Sequence, residues 1–450
     1  MSKWIFAFLT IASLLSAEEE IRVELTTRAK LAPLYLCRFH TKETKLPLTY
    51  LKNLRKTFEF DLSHSGYSKV LPLNEILEKA ASHTDLAVAF NPSRWSKGGV
   101  SYVIKGNVED YTLNLFVFSV KESTLKQFQG IPLSGNLDVD RRQLHKLSDA
   151  LMKTLFGIEG LATTHILYSV QMKKESSSAS NWRSEIWECD WDGGNPRQVT
   201  YEQDYSITPV MIPAHPTYGS DRFLYVNYKN GQPKIYFSSL KNRTGKPLLE
   251  LRGNQLLPAI SKQRDKIAFI SDAAGRADLF VQKVEPSGIL IGKPEQLFSY
   301  PRSTQGSPSF SPDGKKLAFV SDKDGTPRIY LIASMIQNSK RPKPALITKR
   351  NRENTCPTWS PDGTKIAYSA KTKGVRQIWI YDLEAEEELQ LTTGPGNKEN
   401  PCWALNSLHL VFNSTDPDST ELYLVNLNQP DAVRITKGSG KKHYPTWGTQ

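Results

Sequence analysis

The stretch Pro308-Ser309-Phe310-Ser311-Pro312-Asp313-Gly314 decides the fold, together with the run Lys316-Leu317-Ala318-Phe319-Val320-Ser321 that follows it. The chain repeats this pattern 49 residues later as Pro357-Thr358-Trp359-Ser360-Pro361-Asp362-Gly363. Asp-Gly before a β-branched or aromatic run indicates a hairpin, because glycine tolerates the positive φ that such turns require. Each copy continues with further short runs bounded by Gly, Pro, Asp and Asn, so one unit is predicted to hold four strands.

Six anchors, each a proline, a small residue and a bulky apolar residue, divide the second half of the chain. The anchors begin at Pro209, Pro258, Pro308, Pro357, Pro401 and Pro445. Successive anchors are 49, 50, 49, 44 and 44 residues apart. Four-stranded units at this period are typical of β-propeller blades. We expect each proline to be the first residue of an inner strand, where its missing N–H breaks no ladder bond.

The sixth anchor supplies a first strand and nothing more, since the sequence stops at Gln450. The missing three strands are predicted ahead of the first complete copy, at residues 165–169, 184–190 and 197–200. One blade is therefore expected to form from both ends of the domain, which closes a ring of six blades and leaves no open edge. An open array of hairpins is the alternative. Such an array would give the chain no reason to divide one blade between the two ends of the domain.

Between residues 18 and 160 the periodicity changes and predicts a small α/β domain. A strand is expected at residues 32–39 and a hairpin at residues 101–108 and 111–120. Helices are expected where apolar residues recur at spacings of three and four, namely behind Pro47, after Asn74, and from Asp140 to Gly157. No Gly-rich phosphate loop follows a strand, so nothing indicates a nucleotide site.

Residues 1–17 have the pattern of a secretory signal peptide, with Lys3, an apolar stretch and Ser16-Ala17 before an acidic run. The apolar stretch is too short for a transmembrane helix, so we expect an exported mature chain without a membrane-spanning segment. The predicted division is a signal peptide at 1–17, the α/β domain at 18–160 and the propeller at 161–450. Four cysteines are too few for a disulfide scaffold. A bridge between Cys356 and Cys402 is conceivable, and buried thiols are the favoured interpretation.

The formal net charge is +12, and much of the excess lies in blade loops such as the one holding Lys340, Arg341 and Lys343. An exported basic protein could favour anionic membrane surfaces, an acidic partner or cell-wall polymers, although solvated loops are the simpler interpretation. Nucleic acid is not an expected partner, because the cations are not interleaved with a stacking platform.

The sequence indicates no catalytic residues, metal or cofactor. It lacks a Gly-x-Ser-x-Gly elbow and a His-Glu-x-x-His pair. Asp322-x-Asp324 and Asp416-x-Asp418 stand where hairpin turns are needed, and are interpreted as turns and not as calcium ligands. Two alternatives stay open: an exported propeller enzyme of lyase or glycosidase type, with acid–base residues on the inner strands, and a cell-wall-binding lectin.

The junction Leu155-Phe156-Gly157-Ile158-Glu159-Gly160 carries a specific resemblance. An export signal, a small α/β domain, this junction and a six-bladed Ser-Pro-Asp-Gly propeller together resemble the TolB family, the periplasmic component of the Tol–Pal system of Gram-negative bacteria. The resemblance implies a non-catalytic binding protein of the periplasm. It implies contact with the peptidoglycan-associated lipoprotein Pal over one propeller face, and support of outer-membrane integrity and constriction during cell division.

The resemblance also implies where partners bind. The Pal surface would be the loops that lead into the anchor prolines, which ring one mouth of the channel on a rigid scaffold. Here those residues are Ser206, Ile207, Asn254, Gln255, Thr304, Gln305, Asn354, Thr355, Glu399, Asn400, Lys442 and His443. Contact with a TolA-like inner-membrane protein would involve the segment after the signal, represented by Glu18, Glu19, Glu20 and Ile21. That segment is short, very acidic and strand-like.

Overall fold

The computed structural model describes residues 30–42, 44–83, 85–173, 182–416 and 419–448. Within these ranges a small α/β domain is followed by six four-stranded sheets. The expected signal peptide and the acidic residues 18–21 lie outside the described part of the chain. None of the described helices is both long enough and apolar enough to cross a membrane.

The α/β domain is built on one six-stranded sheet. Its strands are β1 (Ala32–Leu36), β2 (His40–Lys42), β3 (Ser68–Val70), β4 (Tyr102–Glu109), β5 (Thr112–Ser119) and β6 (Thr124–Pro132). Its helices are α1 (Leu48–Ser63), α2 (Glu75–Ala81), α3 (Leu86–Ala89), α4 (Pro92–Lys97) and α5 (Leu137–Phe156). The sheet order is β3-β1-β4-β5-β6 with β2 beside β4, and β1 runs parallel to both its neighbours. The expected hairpin is β4–β5, while β6 was not expected because its side chains are mostly exposed and show weak alternation.

Both faces of this sheet are covered by helices. Along β1, Leu34 and Leu36 point into the core shared with α1 and α5, whereas Tyr35 points into the core under α2–α4. The helix expected from Asp140 begins earlier, because Asn136 accepts the N–H of Asp138 and caps α5. It ends, as expected, at Gly157, which adopts a φ of 70°.

The propeller consists of six blades, which confirms the predicted fold class. The first five along the chain are β10–β13 (Ser206–Met211, Arg222–Asn227, Lys234–Ser239, Lys246–Pro247), β14–β17 (Gln255–Ile260, Lys266–Ser271, Asp278–Val284, Leu290–Phe298), β18–β21 (Gln305–Phe310, Lys316–Ser321, Arg328–Ala333, Ala345–Leu346), β22–β25 (Asn354–Trp359, Lys365–Thr372, Val375–Asp382, Glu387–Gln390) and β26–β29 (Asn397–Trp403, His409–Thr415, Thr420–Asn426, Gln429–Arg434).

The sixth blade is formed by both ends of the propeller. Its strands, from the channel outward, are β30 (Lys441–Gly448), β7 (His165–Lys173), β8 (Trp182–Asp190) and β9 (Arg197–Gln198). Trp447 lies opposite Ile166, so the tail supplies the inner strand as predicted. Neighbouring inner strands contact one another around the whole circle, including β30 with β10, and the ring is closed.

The position of the anchor prolines within the inner strands differs from the expectation. Pro209 is the fourth residue of β10, and the other anchors are the fourth or fifth residue of theirs. The residue before each proline has a φ between 43° and 53°, and the register with the second strand shifts at that point in every blade. A β-bulge therefore lets the strand begin before the proline, and ten of the twelve residues expected in loops lie within strands, the exceptions being Asn254 and Thr304.

The Ser-Pro-Asp-Gly hairpins are held by their own side chains. Ser311 donates to Asp313 at 2.6 Å and accepts the N–H of Lys316 at 2.9 Å. Gly314 supplies the left-handed residue, with a φ of 69°. In the copies at Pro258 and Pro401, which lack this sequence, Arg264 and Ser407 take the left-handed conformation instead, so the turn survives the substitution there.

The α/β domain is joined to the propeller by a buried polar cluster, here called the joint. The Asp61 carboxylate on α1 accepts from His145 Nδ1 at 2.8 Å, Ser148 Oγ at 2.7 Å and Trp191 Nε1 at 2.8 Å. Arg141 on α5 donates to Thr57 at 2.7 Å and to the Asp192 carboxylate across the interface. Asp61 and Arg141 thus fix the domain on the closing blade, whereas His145 and Ser148 hold Asp61 from within the α/β domain.

A second part of the joint lies against the fifth blade. His409 Nε2 lies 2.7 Å from the carbonyl oxygen of His64, and Asn428 donates to the carbonyl of Gly66 at 2.8 Å. Asn406 Nδ2 lies 3.0 Å from His409 Nδ1, which fits a neutral ring with its proton on Nε2. Burial lowers the pKa of His409 to about 4, consistent with that neutral form.

Candidate functional site at the mouth of the propeller channel

The two faces of the propeller differ in what covers them. The mouth face is defined here as the face on which the six inner strands begin, at Ser206, Gln255, Gln305, Asn354, Asn397 and Lys441. The opposite face carries the Ser-Pro-Asp-Gly hairpins and the joint with the α/β domain. The hydrogen bonds between the described parts of the two domains lie on this opposite face, so the mouth face lies away from the α/β domain.

Five of the predicted site residues are buried at the start of their strands. They are Ser206, Gln255, Gln305, Asn354 and Lys442, and each is at most 5% exposed. The expectation that they form open loops is wrong for these five, because the bulge places them three residues before the anchor proline inside the paired strand.

Most of these buried side chains satisfy polar groups of the turn that precedes their strand. Gln255 Nε2 donates to the carbonyls of Leu249 and Leu251 at 3.2 and 3.0 Å. Lys442 Nζ donates to the carbonyl of Gly438 at 2.7 Å and pairs with Glu421 at 3.0 Å. Buried backbone carbonyls need such partners, so these residues support the rim and do not present themselves to a partner.

Two other predicted residues are fixed at the rim by aspartates of the neighbouring hairpins. Asn254 donates from its backbone N–H and its Nδ2 to Asp272, at 2.6 and 2.7 Å. Thr304 makes the equivalent pair of bonds to Asp322, at 2.7 and 2.9 Å, and its side chain is exposed. Asp322 is thus occupied as a turn acceptor, in agreement with its interpretation as part of a hairpin turn. Asp418 lies outside the described residues.

The remaining predicted residues are half-buried. Arg376 links two of them, since it lies 3.3 Å from Thr355 Oγ1 and 3.3 Å from the Glu399 carboxylate. Asn400 donates to Asn413 at 2.8 Å. Ile207 packs at the edge of an apolar core between blades. Among the twelve predicted residues, only some therefore offer polar groups at the surface.

Sequence reasoning missed a ring of residues that immediately precede the anchor prolines. This hub ring consists of Thr208, Leu257, Ser307, Cys356, Asn400 and Tyr444. Members of adjacent blades contact each other: Ser307 Oγ lies 3.9 Å from Cys356 Sγ, which lies 3.1 Å from Asn400 Oδ1. Only Asn400 was among the predicted residues. The signal that could have identified the ring is the fixed position of its members, each of which immediately precedes an anchor proline.

Aromatic side chains gather where the hub ring passes the closing blade. Tyr205 and Tyr228 make an edge-to-face contact at 5.7 Å, and the rings of His443 and Tyr444 lie 5.9 Å apart. Burial raises the pKa of Tyr444 to about 12 and lowers the pKa of His443 to about 4. Both groups are therefore uncharged near neutral pH, and this part of the mouth offers hydrogen bonds and apolar surface.

Burial raises the pKa of the Cys356 and Cys402 thiols, so neither is an activated nucleophile. All four cysteines are free, and the conceivable bridge between these two is not formed. The reason is that Cys356 precedes its anchor proline whereas Cys402 follows its own.

One group of potential metal ligands lies elsewhere, in the joint. Asp61, His145 and Asp192 each offer a ligand atom within 4.8 Å of the others. The Asp61 carboxylate already accepts three hydrogen bonds, and Asp192 is paired with Arg141. A guanidinium inside the cluster neutralises the charge that would attract a cation, so the arrangement suits an interdomain polar contact better than a metal.

Comparison with known proteins agrees with this architecture. A family described as the TolB beta propeller domain matches residues 152–450. The chain is 48% identical over 388 residues to a TolB homolog of Protochlamydia amoebophila, covering 85% of this chain and 82% of that protein. It is 36% identical over 396 residues to a TolB homolog of Chlamydia pneumoniae, covering 87% and 84%.

A solved structure shows the same fold at lower sequence similarity. The crystal structure of TolB from Acinetobacter baumannii is 20% identical and superposes with a TM-score of 0.70, covering 93% of this chain and 97% of that one. Three observations agree with the family match: the domain order, the six blades closed by both ends of the propeller, and the similarity over most of the chain. The chain belongs to the TolB family.

Proposed function

We propose that the chain is a non-catalytic binding protein of the periplasm that holds a peptidoglycan-associated lipoprotein of the Pal type on its mouth face. In this role it would support outer-membrane integrity and constriction during cell division, as part of a Tol–Pal system. The observation that carries the proposal is the polar, six-fold mouth face that points away from the α/β domain. Family membership supplies the class of partner.

The rim residues are suited to recognition because their positions are fixed before a partner arrives. Asp272 and Asp322 each hold a backbone N–H and a side-chain donor of the neighbouring strand. Such preorganisation lowers the entropy that binding must overcome. The uncharged hub ring at the centre and the polar rim around it resemble the arrangement of many protein–protein interfaces.

Within the predicted set, we assign the contacts to the surface residues and the support to the buried ones. The proposed contact residues are Asn254, Thr304, Thr355, Glu399, Asn400 and His443, together with the hub ring. Ser206, Gln255, Gln305, Asn354 and Lys442 are proposed to hold the strand starts in place, and Ile207 to pack between blades.

Thr304→Arg tests the proposed contact surface, with Thr364→Arg as a matched control. Both threonines are exposed, and each donates its backbone N–H and its hydroxyl to one hairpin aspartate. Thr304 lies on the mouth face and Thr364 on the opposite face. We expect Thr304→Arg to weaken binding of the soluble domain of the organism's own Pal-type lipoprotein at least about ten-fold, since a long cationic side chain at the rim collides with a partner seated on the mouth face.

Isothermal titration calorimetry measures both affinities. Equal binding by wild type and Thr304→Arg would place the partner elsewhere, and absence of binding by the wild type would refute the proposal. Turnover of a polysaccharide or peptide by the purified chain would instead favour the propeller-enzyme alternative.

We also propose, on the family resemblance alone, that residues 18–21 contact a TolA-like inner-membrane protein. Replacing Glu18, Glu19 and Glu20 by Gln in the exported chain should weaken capture of that protein and leave Pal binding unchanged. Unchanged capture would remove this second contact from the proposal.

A further inference from the structure

A cleft lies between α5 and the closing blade, on the side of the propeller away from the mouth face. Its volume is about 270 Å³. Its charged lining residues are Arg142, His145, Lys146, Glu188, Asp190 and Arg197. The proposed function does not use this cleft, because His165 at its edge pairs with Gly448 at the far end of the inner strand.

The floor of the cleft contains a buried donor without an acceptor. His145 is 2% exposed, and its Nδ1 is engaged by Asp61 at 2.8 Å. Its Nε2 has no hydrogen-bond partner among the described residues, and the nearest carboxylate oxygen, of Asp190, is 3.7 Å away. That distance is too long for a hydrogen bond. An oxygen atom of a ligand in the cleft would supply the hydrogen-bond acceptor that Nε2 lacks.

The protonation of His145 fits that role. Burial lowers its pKa, but the Asp61 and Asp190 carboxylates outweigh burial and raise the pKa to about 10. The ring therefore carries both protons near neutral pH. Its Nε2–H is a charged donor that faces the cleft.

The rim adds two cations that no acidic group neutralises. Arg142 and Lys146 are exposed, four residues apart and hence on the same side of α5. No ion pair or hydrogen bond of either side chain occurs within the described ranges. The carboxylates of the opposite wall are already engaged, Glu188 by Arg197 and Asp190 by Asn195.

We propose that this cleft binds a small ligand through its phosphate or carboxylate group, which accepts from His145 Nε2 and pairs with Arg142 and Lys146. Charged N–H donors that line one cleft are the usual recognition pattern for oxyanions. The volume is near the lower end of ligand pockets, about 300 Å³, so the ligand should be small.

The test compares two variants that remove the same charge from equivalent places on different helices. Arg142→Gln/Lys146→Gln removes both cations from the rim of the cleft. Lys52→Gln/Lys56→Gln removes two exposed cations, also four residues apart, from α1 outside the cleft. The purified mature chain is titrated calorimetrically with inorganic phosphate and, separately, with succinate, at an ionic strength held constant with sodium chloride.

We expect saturable binding of at least one of the two probes, with a shift of the histidine NMR signal that is absent from His145→Gln. The probe that binds identifies phosphate or carboxylate as the recognised group. Affinity should fall at least about ten-fold in Arg142→Gln/Lys146→Gln and stay at the wild-type value in Lys52→Gln/Lys56→Gln. Failure of both probes to bind, or equal affinity in the two double variants, would overturn the proposal.

Discussion

The mouth face and the joint both contain buried polar residues, but they find their partners in different ways. At the mouth, Gln255 and Lys442 bond to carbonyls that lie 4 to 6 residues before them, and Lys442 also pairs with Glu421 of the preceding blade. In the joint, Asp61 meets Trp191 across 130 residues and His64 meets His409 across 345. Hydrogen bonds between a buried side chain and a nearby turn repeat from blade to blade. The joint occurs once and depends on how the two domains dock.

This difference predicts different sensitivities. A side chain that bonds within its own repeat can be changed with a local effect, because the rest of the ring is unaltered. A charged side chain of the joint is paired with a buried group of opposite charge. Replacing one member of such a pair therefore leaves the other charge poorly compensated in the interior.

The largest expected effect is that of Asp61→Asn. The substitution removes the carboxylate that holds His145, Ser148 and Trp191, and leaves the buried imidazole with only the Asp190 carboxylate, 3.7 Å away, as counter-charge. We expect the free energy of unfolding to fall by about 3–5 kcal/mol. Urea titration followed by tryptophan fluorescence measures it, since Trp191 lies in the joint. Asp85→Asn, at the exposed N-cap of α3, is the control and should be nearly neutral; an equally small loss for Asp61→Asn would contradict the role given to the joint.

A pH dependence of the joint is the next largest effect. The pKa of His409 is lowered from 6.5 to about 4 in the folded state, so the unfolded chain binds more protons between these values. The free energy of unfolding should therefore decrease as pH falls from 6.5 to about 4, by up to about 3 kcal/mol from this residue. Melting temperatures across that range should decline less steeply for His409→Gln than for the wild type.

His83→Gln serves as the control for this pH series, because His83 is exposed and outside the joint. Parallel pH profiles for His409→Gln and the wild type would show that His409 does not titrate with unfolding.

The smallest expected effect concerns the hub ring. Ser307 has a φ of 43°, which costs a non-glycine residue about 1 kcal/mol. Ser307→Gly should therefore raise the free energy of unfolding by a few tenths to about 1 kcal/mol, whereas Lys316→Gly in a regular strand should lower it by a similar amount. Chemical denaturation of both variants checks the opposite signs. A loss of stability in Ser307→Gly would mean that its side chain contributes more to the ring than its backbone strain costs.

The sequence by itself determined the repeat, the number of blades and the closure of the ring. Each unit repeats the same anchor, turn and strand pattern, and a unit of four short strands buries its apolar faces only against neighbouring units. For the same reason Pro445 and Trp447 indicated the inner strand of the blade that begins at His165. The helix limits near Gly157 were also readable, because capping is a local interaction.

Only the tertiary structure decided which of the predicted mouth residues are accessible. A bulge of one residue before each anchor turned Gln255 and Lys442 inward and brought Cys356 and Asn400 together, and register is fixed by pairing with another strand. The joint and the cleft beside His145 arise from contacts between residues far apart in the chain. No periodic pattern encodes such contacts, since they form only when two finished domains pack against each other.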